Sequence, residues 1–418
     1  MQSGSQIKRI LLFAIMPFPF LLYALRSYRS VWFKNIVMLF IVHFSISFVY
    51  TESMDAYRYS ESVKYYANKD TLADIFIEKS TYKDTDKMIE VFEPLVLYIS
   101  TRLSDDSRLF YAFIGSIFGF FYSRNIDISL SSGKKNKYNL FELILVLLFA
   151  IIIPFWLVTG VRFWLAAHMV FYGFIQIQKG KKNGYLWMLC TPLIHYTFIY
   201  VMGFFLLFMI VGAKYRVFYL MYLIAFFFEG LEVGSLSDYI SAISIPDELR
   251  YHVNSYANEV VATSSAMKLS DFNWYIRYNG FLLKWVVFIL TSFVFFDRRS
   301  ALFFENNFIQ KNVFSFGLLF YSVTAIFSSV PSFGRFFSIA NMMLMYVSIF
   351  YITNMVRYNG FFYWMRIAVI PMALFCIIIT FWQGFDKMSM MTLIGNPISA
   401  LFISNNESLI TVVKSFIF

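Results

Sequence analysis

The chain alternates apolar runs with short basic turns and two long polar loops. The apolar runs lie at 10–25, 35–50, 108–123, 140–158, 161–178, 185–212, 217–228, 281–296, 313–330, 336–355 and 361–384. A helix crosses a bilayer with about 17–25 mostly apolar residues, and a helix satisfies all of its own backbone groups in lipid. The pattern predicts an all-α, polytopic integral membrane protein with about ten transmembrane helices plus re-entrant or short ones. A single integral-membrane domain over 1–418 is expected. Pro17 and Pro19 predict a kink in the first run.

Charge orients the runs. Lys and Arg gather at 26–34, 124–137, 179–182, 214–216 and 298–299, which the positive-inside rule places in the cytoplasm. The loop 51–90 has nine acidic residues against six basic ones, and 229–280 has seven against three, so both are expected outside. The outer loops 51–107 and 229–280 would roof one face, with an outer C-terminal tail at 385–418. Residues around 54–69 read as an amphipathic surface helix. VFEPLVLYISTRL, 91–103, is too short to cross and reads as an outer surface or re-entrant helix beginning at Glu93-Pro94.

The run 185–212 has basic residues on both flanks. As one straight helix it would reach about 42 Å, too short to cross twice. Two readings stand: a hairpin of half-helices with Pro192 and His195 near its tip, or one long span.

Composition narrows the class. With 59% hydrophobic and 14% charged residues, the chain does not have the balance of a soluble domain. The net charge of +10 resides largely in the basic turns, so no nucleic-acid partner is expected. Cys190 and Cys376 lie in apolar segments and read as packing residues. The first apolar run lacks a small-residue cleavage site and reads as an anchor.

Ionisable groups inside apolar segments are costly and mark functional positions. Arg162 opens one apolar run and His195 interrupts another. The predicted topology brings Asp55, Arg58, Tyr59, Glu93, Arg162, His195 and Arg335 to the same outer side. Arginine forks bind phosphate oxygens in pairs, and a carboxylate or imidazole can take a proton from an attacking hydroxyl. That set suits transfer from a phosphorylated donor onto a hydroxyl. A structural reading stands beside each: a solvated Asp55–Arg58 pair, a helix-starting Glu93, an interior His195, an interfacial Arg335. Asp84-x-Asp86 and Asp105-Asp106 lack a third ligand at metal spacing, and no phosphate-cradling glycine loop is present. No metal and no cofactor are expected.

The ordered features resemble the EpsG family of Wzy-type polysaccharide polymerases. The matching pieces are Asp55-x-x-x-Tyr59, Glu93-Pro94, Arg162 with Ala166 one turn on, a lysine turn, His195-Tyr196-Thr197, Arg335, and Asn396-Pro397 in the tail. Phe163 departs from the glutamine common there, and the loop 229–280 is longer than expected. The resemblance implies a fold similar to GT-C-type glycosyltransferases that use lipid-linked sugars. It implies a polymerase joining undecaprenyl-diphosphate-linked oligosaccharides on the outer face of the bacterial cytoplasmic membrane. Arg162, Arg335, Arg58, Tyr59 and Tyr196 would hold donor and glycan, and His195, Glu93 or Asp55 would take the proton. A ligase similar to O-antigen ligases and a flippase of lipid-linked oligosaccharides are the alternatives. A chain-length regulator and a flippase are the protein partners such a role leaves open.

Overall fold

The computed structural model describes the chain except at residues 1, 53, 70, 83–89, 132, 134–137, 228–272, 329, 331, 356–359, 404–406 and 418. Most of the expected outer loop 229–280, and Asp84 and Asp86, therefore lie outside the described residues. Among the described residues all regular structure is helical, apart from one isolated bridge between Ser389 and Ser408.

The first run is two helices, α1 (Gln2–Ile15) and α2 (Pro17–Leu25), separated at Met16. Pro17 has no N–H to continue a helix but can begin one. Next, α3 (Phe33–Ser47) packs along α7 (Ser107–Leu130). Gly115 and Gly119, four residues apart on one face of α7, allow the close approach. A Cβ on Gly115 would fall 2.3 Å from Ser45 Oγ, and one on Gly119 3.1 Å from the Met38 carbonyl. The apolar run ends at 123, yet α7 continues to Leu130. Its polar residues find partners: Arg124 donates to Asn35 at 3.1 Å, Lys34 pairs with Asp127 at 3.0 Å, and Asn125 donates to the His168 carbonyl at 3.0 Å.

Between α3 and α7 lie α4 (Asp55–Tyr66), α5 (Leu72–Tyr82) and α6 (Phe92–Thr101). The first polar loop thus holds two helices where the sequence suggested one. The 10 residues of α6 cannot cross a bilayer. A capping box of Asn139 and Glu142 starts α8 (Leu140–Ile152), and a 3-10 turn, Phe155–Gly160, leads to α9 (Phe163–Gln178).

The run 185–212 doubles back. It forms α10 (Asn183–Ile194) and α11 (Phe198–Val211), of 12 and 14 residues. The ring centroids of Tyr185 and Phe205 lie 6.4 Å apart, whereas a continuous helix would separate them by about 30 Å. Pro192 cannot bond the Met188 carbonyl, and Thr191 Oγ1 donates to it instead, at 2.7 Å. The hairpin is antiparallel, so Lys182 and Lys214 lie at the same end of the molecule. Then α12 (Tyr215–Phe226) leaves that end.

The remaining helices are α13 (Trp274–Phe296), α14 (Ser300–Asn306), α15 (Phe308–Ile326), a 3-10 turn at Phe333–Phe336, α16 (Phe337–Met355) and α17 (Gly360–Phe385). α13 begins seven residues before the apolar run. Tyr215 meets Phe295 and Phe304, which brings Arg298 and Arg299 to the basic end with Lys214 and Arg216. Among the described residues, four segments are long and apolar enough to cross a membrane: Leu140–Gly160, Trp274–Phe296, Phe333–Asn354 and Gly360–Phe385. Leu140–Gly160 and Phe333–Asn354 are central, 78% and 83% buried, and Trp274–Phe296 and Gly360–Phe385 peripheral, 33% and 28% buried. Shorter apolar helices expose Leu189, Leu206, Ile210, Leu220 and Ile224. Contiguous exposed apolar surface of that kind belongs against lipid, and the chain is membrane-embedded.

The tail forms α18 (Met390–Ile394), α19 (Pro397–Phe402) and α20 (Leu409–Ile417). It folds back on α3: Ser389 Oγ donates to the Ser47 carbonyl at 2.6 Å, and Val49 N–H to the Lys387 carbonyl at 2.9 Å. Asn396 caps α19, so the Asn-Pro pair of the tail is a helix start.

Candidate functional site

Three distant pieces of chain meet at the end of the bundle opposite the basic turns. The first is α9. Gly173 and Gly184 bring α9 and α10 together, since a Cβ on Gly184 would fall 2.7 Å from the Gly173 carbonyl. Arg162 lies eleven residues before Gly173, and His195 eleven after Gly184. At about 1.5 Å per residue both reach the same level, about 16 Å from the crossing. Antiparallel helices with a common contact point therefore deliver the two side chains together.

Arg162 is aimed by its turn. Val161 holds φ 48°, a positive value that is strained for a β-branched residue. Such strain costs of order 1–3 kcal/mol and persists only where packing enforces it; Val161 is buried. Ser332, three residues before Arg335, also holds a positive φ, 66°. Among the described residues these are the non-glycine positions with positive φ.

The second piece is the stretch leading into α6. Val91 N–H donates to the Leu193 carbonyl at 2.9 Å, tying this stretch to the hairpin tip. Glu90 and Glu93 are buried on either side of that bond. Arg162 Nη1 pairs with Glu90 Oε2, and with Glu93 Oε2 at 3.3 Å. The other oxygen of Glu90 accepts from the Tyr196 backbone N–H at 3.2 Å and lies 3.6 Å from His195 Nδ1. Thr197 Oγ1 is 3.0 Å from that same nitrogen. A guanidinium at a helix N-terminus opposes the helix dipole; here two carboxylates offset it.

The third piece is α4. Tyr59 is buried, stacks on Phe110 with centroids 6.0 Å apart, and interacts with Arg162. Burial, then the Glu93 carboxylate, push its phenol above the usual range. It stays neutral and retains a proton to donate. Phe163 joins the last member: His195 stands edge-on to it at 5.6 Å, and the Arg335 guanidinium lies 5.9 Å from its ring centre. Arg335 is exposed and has no carboxylate within pairing distance among the described residues.

Of the residues expected at the site, Tyr59, Glu93, Arg162, His195, Tyr196 and Arg335 come together, Tyr196 through its backbone. Asp55 and Arg58 stand at the site's exposed edge, with the Arg58 guanidinium 5.6 Å from the Tyr59 ring centre. They pair with each other at 3.2 Å on the open face of α4, with 62% and 63% of their side chains exposed. That is the solvated i,i+3 reading. His168 is a packing residue, with Nδ1 3.1 Å from Asn125 Nδ2. Sequence does not single out Glu90, which is one acid among nine in the loop 51–90. Its signal was its surroundings, since Ile89, Val91 and Phe92 flank it.

The arrangement can orient an imidazole, hold two carboxylates near one guanidinium, and present a second guanidinium to a ligand. The chain matches no protein-family model, no curated protein and no solved structure.

Proposed function

We propose that this chain is a membrane-embedded glycosyltransferase that polymerises oligosaccharide units carried on undecaprenyl diphosphate. The observation that carries the reading is the buried Glu90–Arg162–Glu93 cluster, with His195 against it and Arg335 exposed beside it. An acceptor sugar hydroxyl attacks the anomeric carbon of the donor, the bond from that carbon to the diphosphate oxygen breaks, and the hydroxyl proton passes to the enzyme. Glu90 lies 3.6 Å from His195 Nδ1, and the Thr197 backbone N–H donates to that nitrogen at 3.4 Å; together they hold the imidazole that takes the proton, with the Glu90 carboxylate facing the charge the ring acquires. Arg335 meets the charge that builds on the leaving diphosphate. Arg162 has two carboxylate partners already, so its part is to hold them in place and not to clamp phosphate. About ten crossings, with the cluster at the outer face of the bacterial cytoplasmic membrane, fit the basic turns at the opposite end.

The test is deletion of the gene, followed by sizing of the surface glycan on a gel. Single capped units are the expected product. Absence of any glycan outside would instead make the chain a flippase, and polymer left on lipid would make it a ligase.

A further inference from the structure

A cavity opens at the same end of the bundle as the cluster, on the other side of α4. Its volume of about 520 Å³ is within the range of roughly 300–1,000 Å³ typical of small-ligand clefts. Residues 48–52, the first turn of α7 and the tail form its walls. Along α4, Tyr57 lines the cavity while Tyr59 reaches the cluster. Two residues turn a helix by about 200°, so one helix, about 10 Å thick, separates the two sites.

The chemistry of this cleft excludes an anion. Asp106 caps the start of α7 through the Arg108 N–H at 2.8 Å, so that helix N-terminus is already occupied by a carboxylate. Arg108 pairs with Asp106 at 3.5 Å and donates to the Ala400 carbonyl at 3.2 Å. Glu52 faces the cavity and makes no ion pair among the described residues. What remains is a carboxylate acceptor, neutral hydroxyls and aromatic rings. Tyr50 accepts from Ser60 at 2.7 Å, and Tyr111 donates to the Ala56 carbonyl at 2.6 Å. With those hydroxyl ends tied down, their rings are fixed as walls. Tyr57 is half-buried on the opposite side.

We infer that this cleft binds a short stretch of uncharged glycan, a pyranose face stacking on Tyr57 while Glu52 accepts from sugar hydroxyls. Rigid aromatic walls and a few placed polar groups suit a ligand with apolar ring faces and many hydroxyls. The proposal rests on the polymerase reading for its biological role, as the subsite that retains the growing chain between couplings. It names a class of ligand and not a sugar.

The test uses the full chain in lipid nanodiscs. The probe is lipid-free oligosaccharide released by mild acid from the host cell's own surface polysaccharide, titrated by saturation-transfer NMR. Wild type and Tyr57→Phe, which keeps the ring, should bind; Tyr57→Ala and Glu52→Gln should weaken binding about tenfold or more. In membranes those two weak binders should make shorter polymer with the first coupling unchanged. Wild-type binding and polymer length in both Tyr57→Ala and Glu52→Gln would overturn the proposal, as would failure of wild type to bind. The two readings separate cleanly. If deletion leaves single capped units while the cleft substitutions change nothing, the polymerase stands and the cleft falls. If the substitutions abolish binding while deletion leaves polymer length untouched, the glycan site stands and the polymerase falls.

Discussion

Replacing Glu90 with glutamine tests the centre of the cluster. Glutamine keeps the shape and a carbonyl oxygen for the Tyr196 N–H, but removes the charge that faces Arg162 and His195. Hydrogen bonds to charged groups are worth about 1.5–3 kcal/mol. Glu93 still faces Arg162 at 3.3 Å, so the guanidinium is not stranded, and the stability loss should stay near the lower end of that range. Glu90→Ala also frees the Tyr196 N–H and should cost more, about 3–5 kcal/mol, as expected when one member of a buried ion pair is removed. Activity should respond differently. If Glu90 positions His195 and faces the charge the ring acquires, Glu90→Gln should lower the coupling rate about a hundredfold at nearly normal protein level. Membranes carrying equal amounts of each variant would be assayed for polymer, and detergent-extracted protein for its melting point. A cycle with His195→Ala completes the test. Residues acting as one unit are strongly non-additive, so the double variant should be little worse than either single one. Normal polymer from Glu90→Gln, or fully additive losses, would refute the orienting role.

Further outcomes follow from the same geometry. Arg335→Lys should lose about a hundred- to thousandfold in coupling rate with unchanged stability, because the charge stays but the fork is lost; Arg162→Lys should lose activity and melting point together. Unaltered coupling in Arg335→Lys would remove the diphosphate contact. Cysteines placed at Lys181 and Lys214, in a chain with Cys190 and Cys376 replaced by alanine, should both resist a membrane-impermeant thiol reagent in intact cells. Labelling of one and not the other would contradict the hairpin. Gly184→Ala places a methyl 2.7 Å from both the Gly173 carbonyl and the Ile177 nitrogen, so α9 and α10 must separate. The expected destabilisation is about 1–3 kcal/mol, with a larger fractional loss of activity, since the same crossing sets the level of Arg162 and His195. Unchanged melting and activity in that variant would show that the crossing does not set the site.

Which parts were legible in the sequence follows from what each signal measures. Apolar length and basic flanks report on burial in lipid; they located most of the helices and the short α6, and favoured the reversal around His195. The polar end of α7 was not legible, because Arg124 and Asp127 look like a loop until Asn35 and Lys34 are known to face them. Arg162 and His195 stood out because a charge in an apolar run is costly. Glu90 sits at the edge of an acidic loop, and counting charges over the whole loop hid its burial. Asp55 and Arg58 share a helix with Tyr59, but only one face of α4 turns inward, and the ordered motif carried no information about which. The partners of Arg162 were open for a different reason: an unbalanced arginine looks the same in sequence whether a carboxylate or a ligand phosphate balances it.

The ties between Glu90, Arg162 and the hairpin tip also bear on how the chain enters its membrane. Synthesis runs from the N-terminus, and earlier segments settle first. Glu90 and Glu93 are made some seventy residues before Arg162, and the hairpin tip that closes over them is made later still. An unpaired arginine opposes insertion by about 2.5–3.5 kcal/mol at the centre of a membrane helix and by less at a helix end such as that of Arg162. Here the carboxylates that relieve it are already at the membrane when the guanidinium arrives. The order of residues along the chain thus serves as an assembly schedule: anions first, the cation next, the histidine loop last. A permuted chain that made α9 before α6 would keep every contact of the finished fold, yet it would present a bare guanidinium to the lipid.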